Sequence, residues 1–311
     1  MPTQSHTRQP AKNGPVLFAR QRQLLALLNS QGGAAVNLDF QKLLFLYCQE
    51  PASDRPYDFV PYKFGAFSFT SYADRRKLIE RGLLVNDDHH WQLTDEGRSA
   101  IGKNVDALLN DFALRYRTLR GDALVADTYR RFPYYATRSE IAERVLRGDR
   151  DALAQIDSVR RTPSAPALQT IGYEGHSLES YLNVLLRAGV TLLCDVRKNP
   201  ISRKYGFSKG TLSRACEGVG VRYEHLPQLG IVSEKRRELE TQADYDALFR
   251  DYERTGLPKQ TEAVGRIARW VKDGERVALT CYENLPHQCH RHCVAKALEQ
   301  RLGKNFLVNH L

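Results

Sequence analysis

Apolar residues recur along the chain in two rhythms, and the change from one to the other divides it. Between residues 17 and 30, Leu17, Leu24, Leu25 and Leu28 keep helical spacing, and Gln31-Gly32-Gly33 supplies the glycine stop. Residues 39–48 repeat the pattern with Phe40, Leu43, Leu44 and Tyr47 on one face, until Pro51 and Pro56 break it. A third helix is expected over residues 69–81, closed by Gly82. A small hairpin follows, from Leu83-Leu84-Val85 through Asn86-Asp87-Asp88 to Trp91-Gln92-Leu93. Three helices and then a hairpin is the order of a winged helix. Residues 101–150 return to helical spacing with Ala107, Leu108, Phe112 and Leu114.

Beyond Pro163 and Pro166 short apolar runs alternate with amphipathic helices, as a parallel sheet requires. Strands are expected at 168–173, 191–196, 221–225, 277–280 and 306–309. Helices are expected at 178–188, 208–217, near 245–254, 261–272 and 288–302. The fold class is α/β, a mainly helical winged-helix-like N-terminal domain followed by a compact parallel-sheet domain. The boundaries read as a disordered leader 1–14, winged-helix-like domain 15–100, helical connector 101–157, linker 158–167 and α/β domain 168–311.

Composition narrows the class. A hydrophobic fraction of 42% and a charged fraction of 26% describe a globular chain, and no apolar run is long enough to span a bilayer. With no secretory leader pattern, a cytoplasmic protein with no membrane partner is expected. The six cysteines are too unevenly spaced for a disulfide framework. A net charge of +10, with both halves basic, favours an anionic partner. Arg75, Arg76 and Lys77 on the third helix suit a recognition helix in DNA, the competing reading being a solvated charged face. Arginines interleaved with aromatics between Arg115 and Arg138 suit stacked bases and phosphates, or an amphipathic linker with snorkelling side chains.

The carboxyl ends of the expected strands carry the chemistry. Tyr173 and Glu174, Asp195 and Arg197, His225, and Cys281 with Glu283 are delivered to one sheet edge, where open α/β folds bind ligands. The connection after Asp195 holds Arg197, Lys198, Arg203, Lys204, Lys209 and Arg214 with no acidic residue, beside Ser202 and a capping Ser208, which suits an anion. Three cysteines and three histidines crowd residues 281–293. That cluster admits three readings: zinc on Cys281, Cys289, Cys293 and His287 or His292; a Cys289 thiolate nucleophile; or His290 and Arg291 on substrate with the cysteines as packing. No metal or cofactor is assigned on the sequence.

Ile171-Gly172-Tyr173-Glu174-Gly175-His176-Ser177-Leu178, Cys194-Asp195-Val196-Arg197-Lys198-Asn199-Pro200-Ile201-Ser202, His225-Leu226-Pro227-Gln228-Leu229-Gly230, and Cys281-Tyr282-Glu283 with Cys289-His290-Arg291 resemble, in order, the motifs of the bacterial DUF488 family. In the N-terminal half, Arg81-Gly82-Leu83-Leu84 and residues 91–98 resemble the wing of winged-helix proteins, and residues 38–47 with Tyr62-Lys63-Phe64-Gly65-Ala66 resemble SocA-like antitoxin-type domains. The DUF488 resemblance implies one shared pocket and no substrate. The expected function is a DNA-binding enzyme hydrolysing a glycosidic or phosphoester bond of a nucleotide unit. Glu174 or Asp195 is the expected base or stabiliser, His225 or His290 the acid, and Arg197 and Arg291 the anion clamps, with Glu283 among the catalytic candidates. Tyr173, Ser202, Arg203, Cys281 and Cys289 complete the substrate contacts. The alternative is a DNA-bound thiol or metabolite sensor without turnover. Oligomeric state is not read.

Overall fold

A computed structural model describes residues 17–50, 53–102, 107–160, 165–236, 239–303 and 306–311. The expected leader lies outside the described residues, as do 161–164 of the expected linker. The N-terminal half is built on α2 (Asn37–Gln49), which follows α1 (Ala19–Ser30) and strand β1 (Ala34–Val36). From Asp39 to Cys48 every residue of α2 is buried, so this helix is a core element with no solvent face over that span. A hairpin of β2 (Val60–Tyr62) and β3 (Gly65–Phe67) leads into α3 (Phe69–Glu80), whose N-terminus is capped by Ser68. The expected hairpin after α3 is reduced to one bridge, Leu84 to Leu93. The strand β4 (His90–Gln92) pairs antiparallel with β1.

Helices α4 (Asp95–Ala100), α5 (Ala107–Arg115), α6 (Gly121–Arg131), α7 (Ala142–Val145) and α8 (Arg150–Val159) follow. Leu109, Phe112, Tyr116 and Leu124 enter the same core as α1 and α2, so the segment read as a connector is packed into the N-terminal body.

The C-terminal half alternates strand and helix: β5 (Ala167–Gly172), α9 (Leu178–Arg187), β6 (Leu192–Asp195), α10 (Lys209–Gly218), β7 (Arg222–His225), α11 (Gln242–Asp251), α12 (Thr261–Lys272), β8 (Arg276–Cys281), α13 (Arg291–Leu302) and β9 (Val308–His310). The five strands form one parallel sheet in the order β7-β6-β8-β5-β9. Alternate residues serve opposite layers: Leu192, Cys194, Val277 and Leu279 pack towards α12 and α13, while Leu193 and Ala278 pack towards α9 and α10. This is the expected α/β class. The last helix starts three residues later than expected. Pro286–Gln288 is a 3-10 turn, and Cys289 is extended at φ −140, ψ 133 before α13 begins. Among the described residues no helix is long and apolar enough to cross a membrane.

Candidate functional site

The parallel sheet places the ends of β5, β6, β7 and β8 side by side, with Gly172 opposite Cys281, and Asp195 opposite both Thr280 and His225. The expected strand-end residues therefore do share one edge. They divide, however, into a buried framework and a solvent-facing rim.

Asp195 is fully buried at the end of β6 and carries the framework. Its carboxylate accepts from Arg197 Nε at 2.9 and 3.1 Å, from the Arg197 backbone N–H at 3.0 Å and from the Tyr223 hydroxyl at 2.7 Å. Arg197 Nη1 donates in addition to the Tyr173 hydroxyl at 3.0 Å and the Phe207 carbonyl at 2.9 Å, and the guanidinium lies over the Tyr173 ring. Burial opposes the guanidinium charge, but hydrogen bonds to Asp195 and its negative charge outweigh it, so Arg197 is held above its ordinary value. Tyr223 is also raised, by burial and then by the Asp195 charge. A buried pair this fully hydrogen-bonded is a scaffold. Arg197 is thus not the open anion clamp expected, because its donors are turned onto its own protein.

Arg291 is corrected in the same way. It is 1% exposed, and its guanidinium donates to the carbonyls of Glu283 and Asn284, the latter at 2.7 Å, so it ties down the loop after β8. Gly172 makes this close packing possible, since a Cβ there would stand 1.9 Å from the Glu283 carbonyl oxygen. Gly230 allows the same on the far side, where a Cβ would meet the Lys198 nitrogen at 2.0 Å.

His225 and His290 are fixed through carbonyls. His225 Nε2 is 2.9 Å from Arg197 O, and since a carbonyl only accepts, Nε2 carries the hydrogen; Nδ1 faces Lys209 Nζ at 3.4 Å. His290 is 2% exposed, so it is removed from the rim where an acid was expected. Glu283 is 9% exposed and its carboxylate accepts from the Cys281 thiol at 3.4 Å, which places it below the rim as well. Cys281 and Cys289 are fully buried, and burial pushes the Cys289 thiol well up, which removes the expected thiolate nucleophile.

The rim consists of side chains that reach solvent. Glu174 is exposed and accepts from the Asn284 backbone N–H at 3.0 Å. Lys204 Nζ donates to the Tyr173 carbonyl at 3.2 Å, and Lys198, Arg203 and Lys209 are exposed. Ser208 does not cap α10 with its side chain as expected; its hydroxyl exchanges hydrogen bonds with the Ser202 backbone, which fixes the turn of the basic loop.

The N-terminal basic triplet is split. Arg75 is buried, lies over the Trp91 ring and donates to the carbonyls of Asp87 and His90, so it cannot act as a recognition side chain in this conformation. Arg76 and Lys77 remain exposed.

Sequence reasoning missed Tyr223. Its position two residues before His225 on a four-residue strand puts both on one sheet face, which was a usable signal. It also grouped Cys293 with Cys281 and Cys289. Instead Cys293 stands with Glu253 and His292, bordering a separate cavity of about 500 Å³. No curated protein and no solved structure matches the chain. The C-terminal half of the chain is similar to the DUF488 family, whose model, described as "Domain of unknown function DUF488", matches residues 177–298.

Proposed function

We propose that the protein binds nucleic acid, with DNA the favoured form, and that its α/β half hydrolyses a glycosidic or phosphoester bond of a nucleotide unit at the carboxyl edge of the sheet. The observation that carries this reading is the rim itself. The same sheet edge carries exposed Lys198, Arg203 and Lys209, the last 3.4 Å from His225 Nδ1, and of the expected acids and bases only Glu174 and His225 are not buried. Lysines and arginines at such an edge neutralise phosphates, and a carboxylate with an imidazole supplies proton transfer. In this reading Glu174 is the base, His225 exchanges a proton through Nδ1, and Asp195, Arg197 and Tyr223 hold the strand ends in place. In this reading the N-terminal half adds phosphate contacts through Arg76 and Lys77, which are exposed on α3.

The sensor reading loses support from the buried Cys289 thiol, because a raised thiol is a poor target for mild oxidants. Fluorescence anisotropy with single- and double-stranded oligonucleotides at low salt tests the binding step. The expected result is affinity that falls with salt, and that weakens roughly tenfold or more when Lys198, Arg203 and Lys209 are together replaced by Gln. No binding to either strand form at low salt sinks the proposal. Glu174→Gln is expected to leave binding intact and to abolish product release from whichever oligonucleotide is cleaved.

A further inference from the structure

The crowded segment 281–293 contains two groups of metal-type ligands where the sequence suggested one. Cys281, Cys289 and His290 have ligand atoms within 4.8 Å of one another and all three are buried; Glu253, His292 and Cys293 form the other group. The 3-10 turn at Pro286–Gln288 and the extended Cys289 create the first group. They fold the chain back so that Cys289 and His290 return over Cys281 at the end of β8. We propose that Cys281, Cys289 and His290 bind a thiophilic divalent cation of the zinc class.

Three observations carry this. His290 Nε2 is 3.0 Å from the Val196 carbonyl oxygen and must donate to it, so in the neutral ring the lone pair sits on Nδ1, which faces Cys281 Sγ at 3.8 Å. Histidines that ligate metals are oriented in this way, by a hydrogen bond from the second nitrogen. Next, the ligand atoms of Cys281, Cys289 and His290 all lie within 4.8 Å of one another. A tetrahedral zinc ion with bonds of about 2.3 Å to sulfur and about 2.0–2.1 Å to nitrogen requires neighbouring ligands roughly 3.4–3.8 Å apart, which the 3.8 Å between Cys281 Sγ and His290 Nδ1 meets. Finally, the rival group is less suited, because Glu253 is already engaged by Lys296 at 3.1 Å.

The three protein ligands come from the end of β8 and from the residues just before α13, so a bound cation clasps the end of β8 to the start of α13. On binding, each thiol gives up its proton to solvent as its sulfur bonds to the cation, and no electrons change hands.

The test uses the full chain, reduced with a phosphine and freed of metal by a chelator, then titrated with Co²⁺ and Zn²⁺. The expected result is a thiolate-to-cobalt charge-transfer band with tetrahedral d–d bands, saturating at about one equivalent and bleached by zinc. Cys281→Ser and Cys289→Ser should each lose the band, and Cys293→Ser should keep it. Absence of the band in the reduced wild-type protein overturns the proposal, whether or not the variants fold. So does a band that survives both Cys281→Ser and Cys289→Ser, or one lost in Cys293→Ser alone.

Discussion

Lys42 shows how far a single side chain departs from its residue type. It is 2% exposed on the buried helix α2, and its ammonium donates to the Ala66 carbonyl at 2.9 Å, beside a cavity of about 450 Å³ lined by Tyr62, Phe67 and Tyr72. Burial pushes the group down to about 7, from an ordinary 10.5. Above the ordinary value both folded and unfolded chains hold a neutral amine, and the lysine imposes no electrostatic penalty. As pH falls towards 7 the unfolded chain takes up the proton while the folded chain does not, so stability drops; below about 7 both are charged and the loss levels off. Lys42→Met should therefore gain on the wild type as pH is lowered through this window, by on the order of 5 kcal/mol at most. Urea midpoints at the two ends of the window measure this, and a variant-to-wild-type difference that stays constant with pH would refute it. Nothing in the apolar spacing of α2 separates Lys42 from a solvated lysine. The one sign was that its neighbours Leu43, Leu44, Phe45 and Leu46 leave no polar face to carry it.

At the level of elements, the connection from β8 to α13 is where legibility stops. The strand at Arg276–Cys281 and the helix α12 at Thr261–Lys272 could be read from apolar spacing because period-two and period-3.6 patterns are set by burial alone. The positions of Glu174, Asp195, His225 and Cys281 at strand ends followed from the same spacing. What polar side chains do there did not, since a sequence gives the charge of Arg197 and Arg291 but not the carbonyls and carboxylates they meet. Pro286 opens only a 3-10 turn, so α13 begins at Arg291 and not at the expected residue 288. Arg291→Met tests the corrected role. It removes the donors to the carbonyls of Glu283 and Asn284, and each buried acceptor left without a partner costs about 1–3 kcal/mol. The loop 282–290 should lose amide protection in hydrogen exchange while β5 and β6 keep theirs. Loss of protection over the whole sheet, or over none of it, would return Arg291 to a role other than loop anchor.

At the scale of the molecule, the two halves are joined through a buried carboxylate. Glu179, on α9 of the α/β half, is fully buried and accepts from Ser68 Oγ at 3.1 Å, Thr70 N at 2.7 Å and Thr70 Oγ1 at 2.9 Å, so it meets the N-terminal end of α3. Around it the Asn183 amide donates to the Phe59 carbonyl at 2.7 Å, Ser177 Oγ to Asp58 at 2.6 Å, and the Tyr205 hydroxyl to the Phe69 carbonyl at 3.1 Å. Helix α3, read from sequence as a recognition helix, is therefore docked at its N-terminal end against the partner half, which leaves the exposed Arg76 and Lys77 further along. Burial raises Glu179 above its ordinary 4.5, against the opposing hydrogen bonds from Thr70 and Ser68. The folded carboxyl keeps its proton where the unfolded one has lost it, so its contribution to stability is greatest below the ordinary value and declines as pH rises through the raised folded value. Glu179→Gln keeps hydrogen-bonding partners for Ser68 and Thr70 without the charge, and should remove this slope. Glu179→Ala leaves three donors without their acceptor, at about 1–3 kcal/mol for each that stays buried. Thermal unfolding followed across the acidic to neutral range separates the cases: the Gln variant should run flatter than the wild type, and the Ala variant lower throughout. If wild-type and Gln profiles run parallel, the carboxylate is not the group that couples the joint between the halves to pH.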